Sequence, residues 1–346
     1  MVDARLPRVA VSGRKNPRAS YAYLAIVALT TLLSARLFYG YLLQQTGGEW
    51  SAPLDDVFIH FDYARATARG YPFQWSEGNG YSSGNTSLLY PFVLAAGYWG
   101  GFRDEHLMVW AAIVAMVSTA VFLWCAGRLF RHLPAATTLL APLAIFSVGA
   151  LGWSLWSGME VALFLGLWGV AAWLAIGIAD ASGSSVPEPR AWRRSSLWLG
   201  AVGVLLVTTR PEGATSMLVL GAYVAAHVAH RHGLRQGASA AARIGAPALA
   251  ALVTQALVNR WLTGEFSANG AIVKLAIENP YLTRDQKLAE WRFIVDYAFD
   301  RMTLHHFGEQ EVRGLENGTP WGMIPIYLAL VPFFDRLPQR AAARWR

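Results

Sequence analysis

The sequence predicts an all-α integral membrane protein, a polytopic helical bundle, and three observations lead there. Across 346 residues, 54% are hydrophobic and only 15% carry Asp, Glu, Lys or Arg, whereas a soluble domain of this size has about a quarter charged residues. The mean hydropathy is +0.31, and apolar runs close to membrane-spanning length recur along the chain. The basic residues behind the net charge of +7 sit mainly in an N-terminal arm and in short loops between those runs. That distribution carries topology and is not a nucleic-acid stripe.

Taken in order, residues 1–20 form a basic arm with Arg5, Arg8, Arg14, Lys15 and Arg18, which argues for a cytoplasmic N-terminus. Tyr21–Leu43 is too long for the core of a signal peptide and reads as an uncleaved first span. The body of the chain, residues 21–335, contains further apolar runs at Leu107–Gly127, Ala135–Leu151, Met159–Ala179, Ser196–Thr208, Gly213–Ala229, Ile244–Leu262 and Trp321–Phe334, before a tail at 336–346. Ser87–Trp99 is short. If it crossed, the clusters at Arg128 and Arg131, at Arg190, Arg193 and Arg194, and at Arg231, Arg235 and Arg243 would face outward. If it lies along the surface, all fall inside, with the C-terminal arginines. The second choice gives about eight spans plus one juxtamembrane helix.

That topology puts four loops on one outer face of a bacterial-type plasma membrane: Gln44–Thr86, Gly152–Gly158, Thr209–Gly213 and Thr263–Thr319. The last contains a capping box, Thr283 with Gln286 three residues on, opening an amphipathic helix with Leu288, Trp291, Ile294, Val295, Ala298 and Met302 on one side. The stretch 181–190 is a flexible linker. Cys125 lies within an apolar run and reads as packing. The sequons at Asn85 and Asn317 occur as readily by chance as by function.

The first outer loop holds the most informative stretch, Leu54 to Arg65. Asp55 suits the N-cap of a helix from Val57 to about Arg69 that ends at Gly70. Asp56, His60 and Tyr63 share one face of that helix. Capping explains paired aspartates about as well as chemistry does. Farther on, Arg210-Pro211-Glu212-Gly213 joins two apolar runs with almost no loop, and Glu160 begins a run on the same side. Arg210 reads either as a turn residue at the wet interface or as an anion contact oriented by Glu212. Lys274 follows Asn269 after the run ending at Leu262, and His305-His306 point apart in any regular element. No P-loop, GxGxxG, HExxH, CxxC or GxSxG pattern stands out, which disfavours soluble-type nucleotide and hydrolase chemistry. What remains is one surface with carboxylates early in the chain and basic groups later. A reaction at the membrane face with a lipid-phosphate leaving group needs that combination, a carboxylate to take the proton from an attacking hydroxyl and Arg, Lys or a metal to stabilise the charge on the departing phosphate.

Asp55-Asp56, Phe61-Asp62-Tyr63-Ala64-Arg65, Gly70, Gly80-Tyr81-Ser82-Ser83 and Thr86-Ser87-Leu88-Leu89 together resemble the first outer loop of GT-C glycosyltransferases, closest to the terminal arabinofuranosyltransferase-like group. The resemblance continues in order at Gly158-Met159-Glu160, Thr209-Arg210-Pro211-Glu212-Gly213 and Asn269 to Lys274. It implies a GT-C-like fold, a polyprenyl-phosphate sugar donor, an envelope glycan, lipid or protein acceptor, and inverting transfer on the outer face. It implies that one carboxylate of the Asp55-Asp56 pair is the catalytic base; Asp56 is favoured because it shares a helix face with His60 and Tyr63, which leaves Asp55 as cap or as a contact to acceptor or divalent cation. His60, Tyr63, Arg65 and Asn269 then belong to the substrate site, Arg210 and Lys274 meet the donor phosphate, and Glu160 and Glu212 support them. The chain departs from the family pattern at Phe58, His60, Asp62 and Gly270. It also ends soon after its last expected span, as a truncated or minimal member would.

Two other classes compete. A transporter or flippase of lipid-linked sugars predicts ionisable residues along a path inside the apolar runs, but only Arg36 lies well inside one, near the outer end of the first. A purely structural membrane subunit places no demand on Asp55-Asp56.

Overall fold

The computed structural model describes residues 17–129, 135–146, 149–182, 189–268 and 279–303. Among them the chain is helical, without strands. In order come α1 (Pro17–Gln45), α2 (Asp56–Ala68), α3 (Tyr90–Trp99), α4 (His106–Leu129), α5 (Ala135–Phe146), α6 (Gly149–Trp156), α7 (Val161–Ser182), α8 (Pro189–Thr209), α9 (Gly213–His232), α10 (Leu234–Thr263) and α11 (Arg284–Thr303).

Four helices are long and apolar enough to cross a membrane: α1 from Tyr21, α4, α7 and α10. Their outward surfaces are apolar, with Leu29, Leu37, Val117, Trp173 and Leu257 exposed, as lipid-facing positions require. α3 has 10 residues, about 15 Å of rise against the roughly 30 Å of a bilayer core. Within the expected span at Ala135–Leu151 the described residues form α5, of 12 residues, and the start of α6, of 8 residues. Pro142 lies inside α5, which continues to Phe146. α10 begins ten residues before Ile244, taking Arg235 and Arg243 into the helix. The expected run at Trp321–Phe334 lies outside the described residues.

Small residues let the long helices approach. Gly166 and Gly169 of α7 lie against Ser118 and Phe122 of α4, the kind of close packing that replaces a hydrophobic drive between apolar helices. α7, α8, α9 and α10 form a second packed group around Leu199, Leu206, Val224 and Ile244. α1 is fastened by polar bonds at both ends: Tyr23 donates to the Leu123 carbonyl at 2.5 Å, Tyr39 to the Trp156 carbonyl at 3.0 Å, and Trp156 Nε1 to Ser34 Oγ at 2.8 Å.

The two ends of the bundle differ chemically. At one, Arg128 of α4 stacks near Trp173 of α7, His232 of α9 contacts the Ser182 carbonyl at 3.1 Å, and Arg193 of α8 reaches Gln236 of α10 at 3.4 Å. At the other, α2, the α3 entry, the start of α7, the α8–α9 turn and the end of α10 converge. This second end holds the candidate site.

Candidate functional site

α2 begins where its sequence says it should. Asp55 Oδ1 accepts the N–H of Asp56 at 2.9 Å, and Gly70 ends the segment at φ +94°, a conformation that costs glycine little. Its far end is tied down by α3: Trp99 Nε1 donates to the Ala68 carbonyl at 2.9 Å, and Arg69 bridges Glu77 at 2.7 Å and the Tyr98 hydroxyl at 3.0 Å. Val57, His60, Ala64 and Thr67 face inward. Asp55 is exposed and Asp56 half-buried at the opening of the helix.

The expected face of Asp56, His60 and Tyr63 divides in the structure. Tyr63 donates to the Ser82 carbonyl at 3.1 Å. His60 turns to Glu160, with Nε2 3.0 Å from Oε2, and its ring meets Tyr90 edge-on at 5.3 Å. Glu160 is completely buried and His60 almost so. On the other carboxylate oxygen, Arg210 Nη1 donates at 2.9 Å, while Arg210 Nη2 donates to Glu212 at 3.2 Å. One buried carboxylate thus joins α2, the turn before α7 and the α8–α9 turn. Burial alone would raise the Glu160 carboxyl. The His60 contact and the Arg210 charge outweigh it and hold it below its ordinary value. Arg210 is held more firmly protonated by Glu160 and Glu212 despite its own desolvation.

The turns that deliver these groups are built for close approach. Gly158 sits at φ +91°, and a Cβ there would meet the Met108 sulfur at 2.8 Å and Val57 at 3.1 Å. Its carbonyl accepts from the buried Tyr90 hydroxyl at 2.9 Å. In the second turn, the N–H of Gly213 donates to the Arg210 carbonyl at 2.9 Å. The backbone N–H groups of Leu88 and Leu89 both donate to the Thr208 carbonyl, at 2.8 and 2.9 Å. This docks the α3 entry onto the end of α8, two residues before Arg210.

Glu160 has no exposed surface and His60 keeps 4% of its side chain exposed. They hold Arg210 and α2 in place. Arg210 keeps 35% of its side chain exposed and Glu212 66%. Arg65 pairs with Asp62 at 3.1 Å and lies 3.9 Å from Glu77. It lines a cleft of about 520 Å³ with Trp50, Phe58, Phe61, Asp62 and Tyr98. Neither Asp55 nor Asp56 lines it. Asn269, Lys274 and His305-His306 lie outside the described residues, and so does Asn317. Asn85 is buried, so its sequon is not presented to a modifying enzyme in this fold. No group of three or more His, Cys, Asp or Glu fit to hold a metal ion occurs among the described residues.

Sequence reasoning missed Asp62, Trp75 and Glu77 as organisers of the loop. Trp75 Nε1 donates to Asp62 at 3.2 Å and its ring lies 6.0 Å from Tyr63. It also missed Tyr81, whose hydroxyl bonds Asn259 of α10. No local spacing links residues so far apart in the chain. No protein-family model, curated protein or solved structure matches this chain. The functional reading therefore rests on its own residues.

Proposed function

We propose that this protein is a membrane glycosyltransferase of GT-C type, with about eight spans and its site on the outer face of the plasma membrane. It transfers a sugar, with inversion, from a polyprenyl-phosphate donor to an envelope glycan, lipid or protein hydroxyl. The observation that carries this reading is the convergence at one bundle end. Two aspartates open α2, and α2 is tied through Glu160 to Arg210 on a separate turn.

The chemistry that suits this arrangement runs as follows. Asp56 takes the proton from the acceptor hydroxyl while its oxygen attacks the anomeric carbon. The bond from that carbon to the phosphate oxygen breaks, and the electron pair leaves with the phosphate. Asp55 remains the cap. Arg210, with a second N–H on each terminal nitrogen, offers its exposed edge to the phosphate, and Lys274 is the second cation in this reading. Arg65 lines the cleft on one side of α2, and Tyr63 lines a small pocket on the other.

The test uses the full chain in nanodiscs, radiolabelled polyprenyl-phosphate sugars and envelope glycan as acceptor. Transfer by wild type that disappears in Asp56→Asn supports the reading. Donors that bind wild type and are never transferred would replace it with a transport function.

A further inference from the structure

We infer that a small pocket between α2, residues 81–92 and α10 is a subsite for one hydroxyl group of a neutral, polyhydroxylated ring. Thr67 Oγ1, Asn85 Nδ2 and Gln255 Oε1 all line it, and all three are buried without a hydrogen-bond partner among the described residues. Each residue is at least nine-tenths buried. Buried polar side chains are ordinarily paired, so three unpaired ones converging on one cavity point to something that fills it.

Their chemistry specifies what that is. The Asn85 amide is oriented by its own loop, because its Oδ1 accepts the Ser87 N–H at 3.0 Å and leaves the NH₂ as the free end. Asn85 therefore offers a donor, Gln255 an acceptor, and Thr67 either. A hydroxyl answers all of them, accepting from Asn85 and donating to Gln255. No Asp, Glu, Lys, Arg or His lines the pocket, so it offers no counter-charge to an ion. The cavity is about 10 Å³, room for one water-sized group. A hydroxyl enters while the ring that bears it stays at the mouth, where Phe73, Tyr81 and Phe92 supply aromatic surface.

The pocket adjoins the candidate site. Tyr63 and Thr67 lie on the helix that Asp56 opens, and Leu88, another lining residue, is bonded to Thr208 beside Arg210. That the ring is a sugar rests on the glycosyl-transfer reading above; the hydroxyl subsite does not.

The experiment is saturation-transfer NMR on the full chain in nanodiscs free of glycoside detergent. The probes are methyl glucopyranoside, methyl mannopyranoside, methyl arabinofuranoside and myo-inositol. At least one probe is expected to bind, and Gln255→Met is expected to weaken it about tenfold without lowering the unfolding temperature. Thr67→Val, which exchanges one oxygen for a methyl group, repeats the test should Gln255→Met fail to fold. A pocket that holds only water gives no binding by any probe, or binding equal in wild type and both variants, and either result overturns the subsite. Binding that depends on Gln255 and Thr67 in a protein that transfers no sugar would keep the subsite and remove the transfer reading. Transfer with probe binding indifferent to both residues would do the reverse.

Discussion

Glu160 is the residue on which the candidate site depends. It is fully buried, yet it stays ionised because His60 and Arg210 close on it from two sides. Removing one partner of a buried pair leaves the other charge without compensation, which costs about 3–5 kcal/mol. Arg210 is partly exposed, which lowers that cost, so Glu160→Gln is expected to destabilise the protein by about 2–3 kcal/mol, measured by denaturant unfolding in detergent. The pH dependence has a definite sign. The folded Glu160 pKa lies below the ordinary 4.5, so its contribution is complete above that value and is lost as pH falls through the depressed one. Wild type is therefore expected to lose stability on acidification below about pH 4.5 more steeply than Glu160→Gln. Equal slopes would show that the carboxylate adds nothing.

At the scale of elements, the helix starts were legible because capping is local. Asp55 and Gly70 bracket α2 within a residue of expectation. The Thr283–Gln286 box forms reciprocally, with Gln286 Oε1 accepting from the Thr283 N–H at 2.9 Å and Thr283 Oγ1 from the Gln286 N–H at 3.4 Å. Thr283→Ala is expected to cost about 1 kcal/mol of local stability, read as faster amide exchange over 284–290 with the rest of the chain unchanged. What was not legible depends on distant neighbours. A glutamate at the start of an apolar run gives no sign that a histidine 100 residues earlier will pair with it. Likewise, Gly158 reads as an ordinary turn until Met108 and Val57 are seen against it. Gly158→Ala combines positive φ with a clash at the Met108 sulfur. It is expected to cost about 2 kcal/mol or more, seen as a lower unfolding midpoint.

For the whole molecule, the sequence was informative about class and less so about count. Composition and run length identified long apolar helices, and four of them stand in the structure. The early start of α10 escaped, because apolar runs do not report where a helix is extended through Arg235 and Arg243. One end of the bundle carries Arg128, Arg193 and His232, and the other carries Asp56, Glu160 and Arg210. Cysteines at Ser76 and Arg231, both exposed and at opposite ends, are expected to react with a membrane-impermeant reagent from opposite sides in a background with Cys125 replaced. Labelling from the same side would overturn that topology.

The most direct measurement compares single-turnover sugar transfer by Asp55→Asn and Asp56→Asn, with donor binding measured in parallel. Asparagine caps a helix about as well as aspartate but cannot accept a proton at neutral pH. Asp56→Asn is expected to lose about 10³-fold in transfer with donor binding retained, and Asp55→Asn to lose less than about tenfold. Equal losses in the two variants, or full transfer by Asp56→Asn, would contradict the assignment of Asp56 as the base.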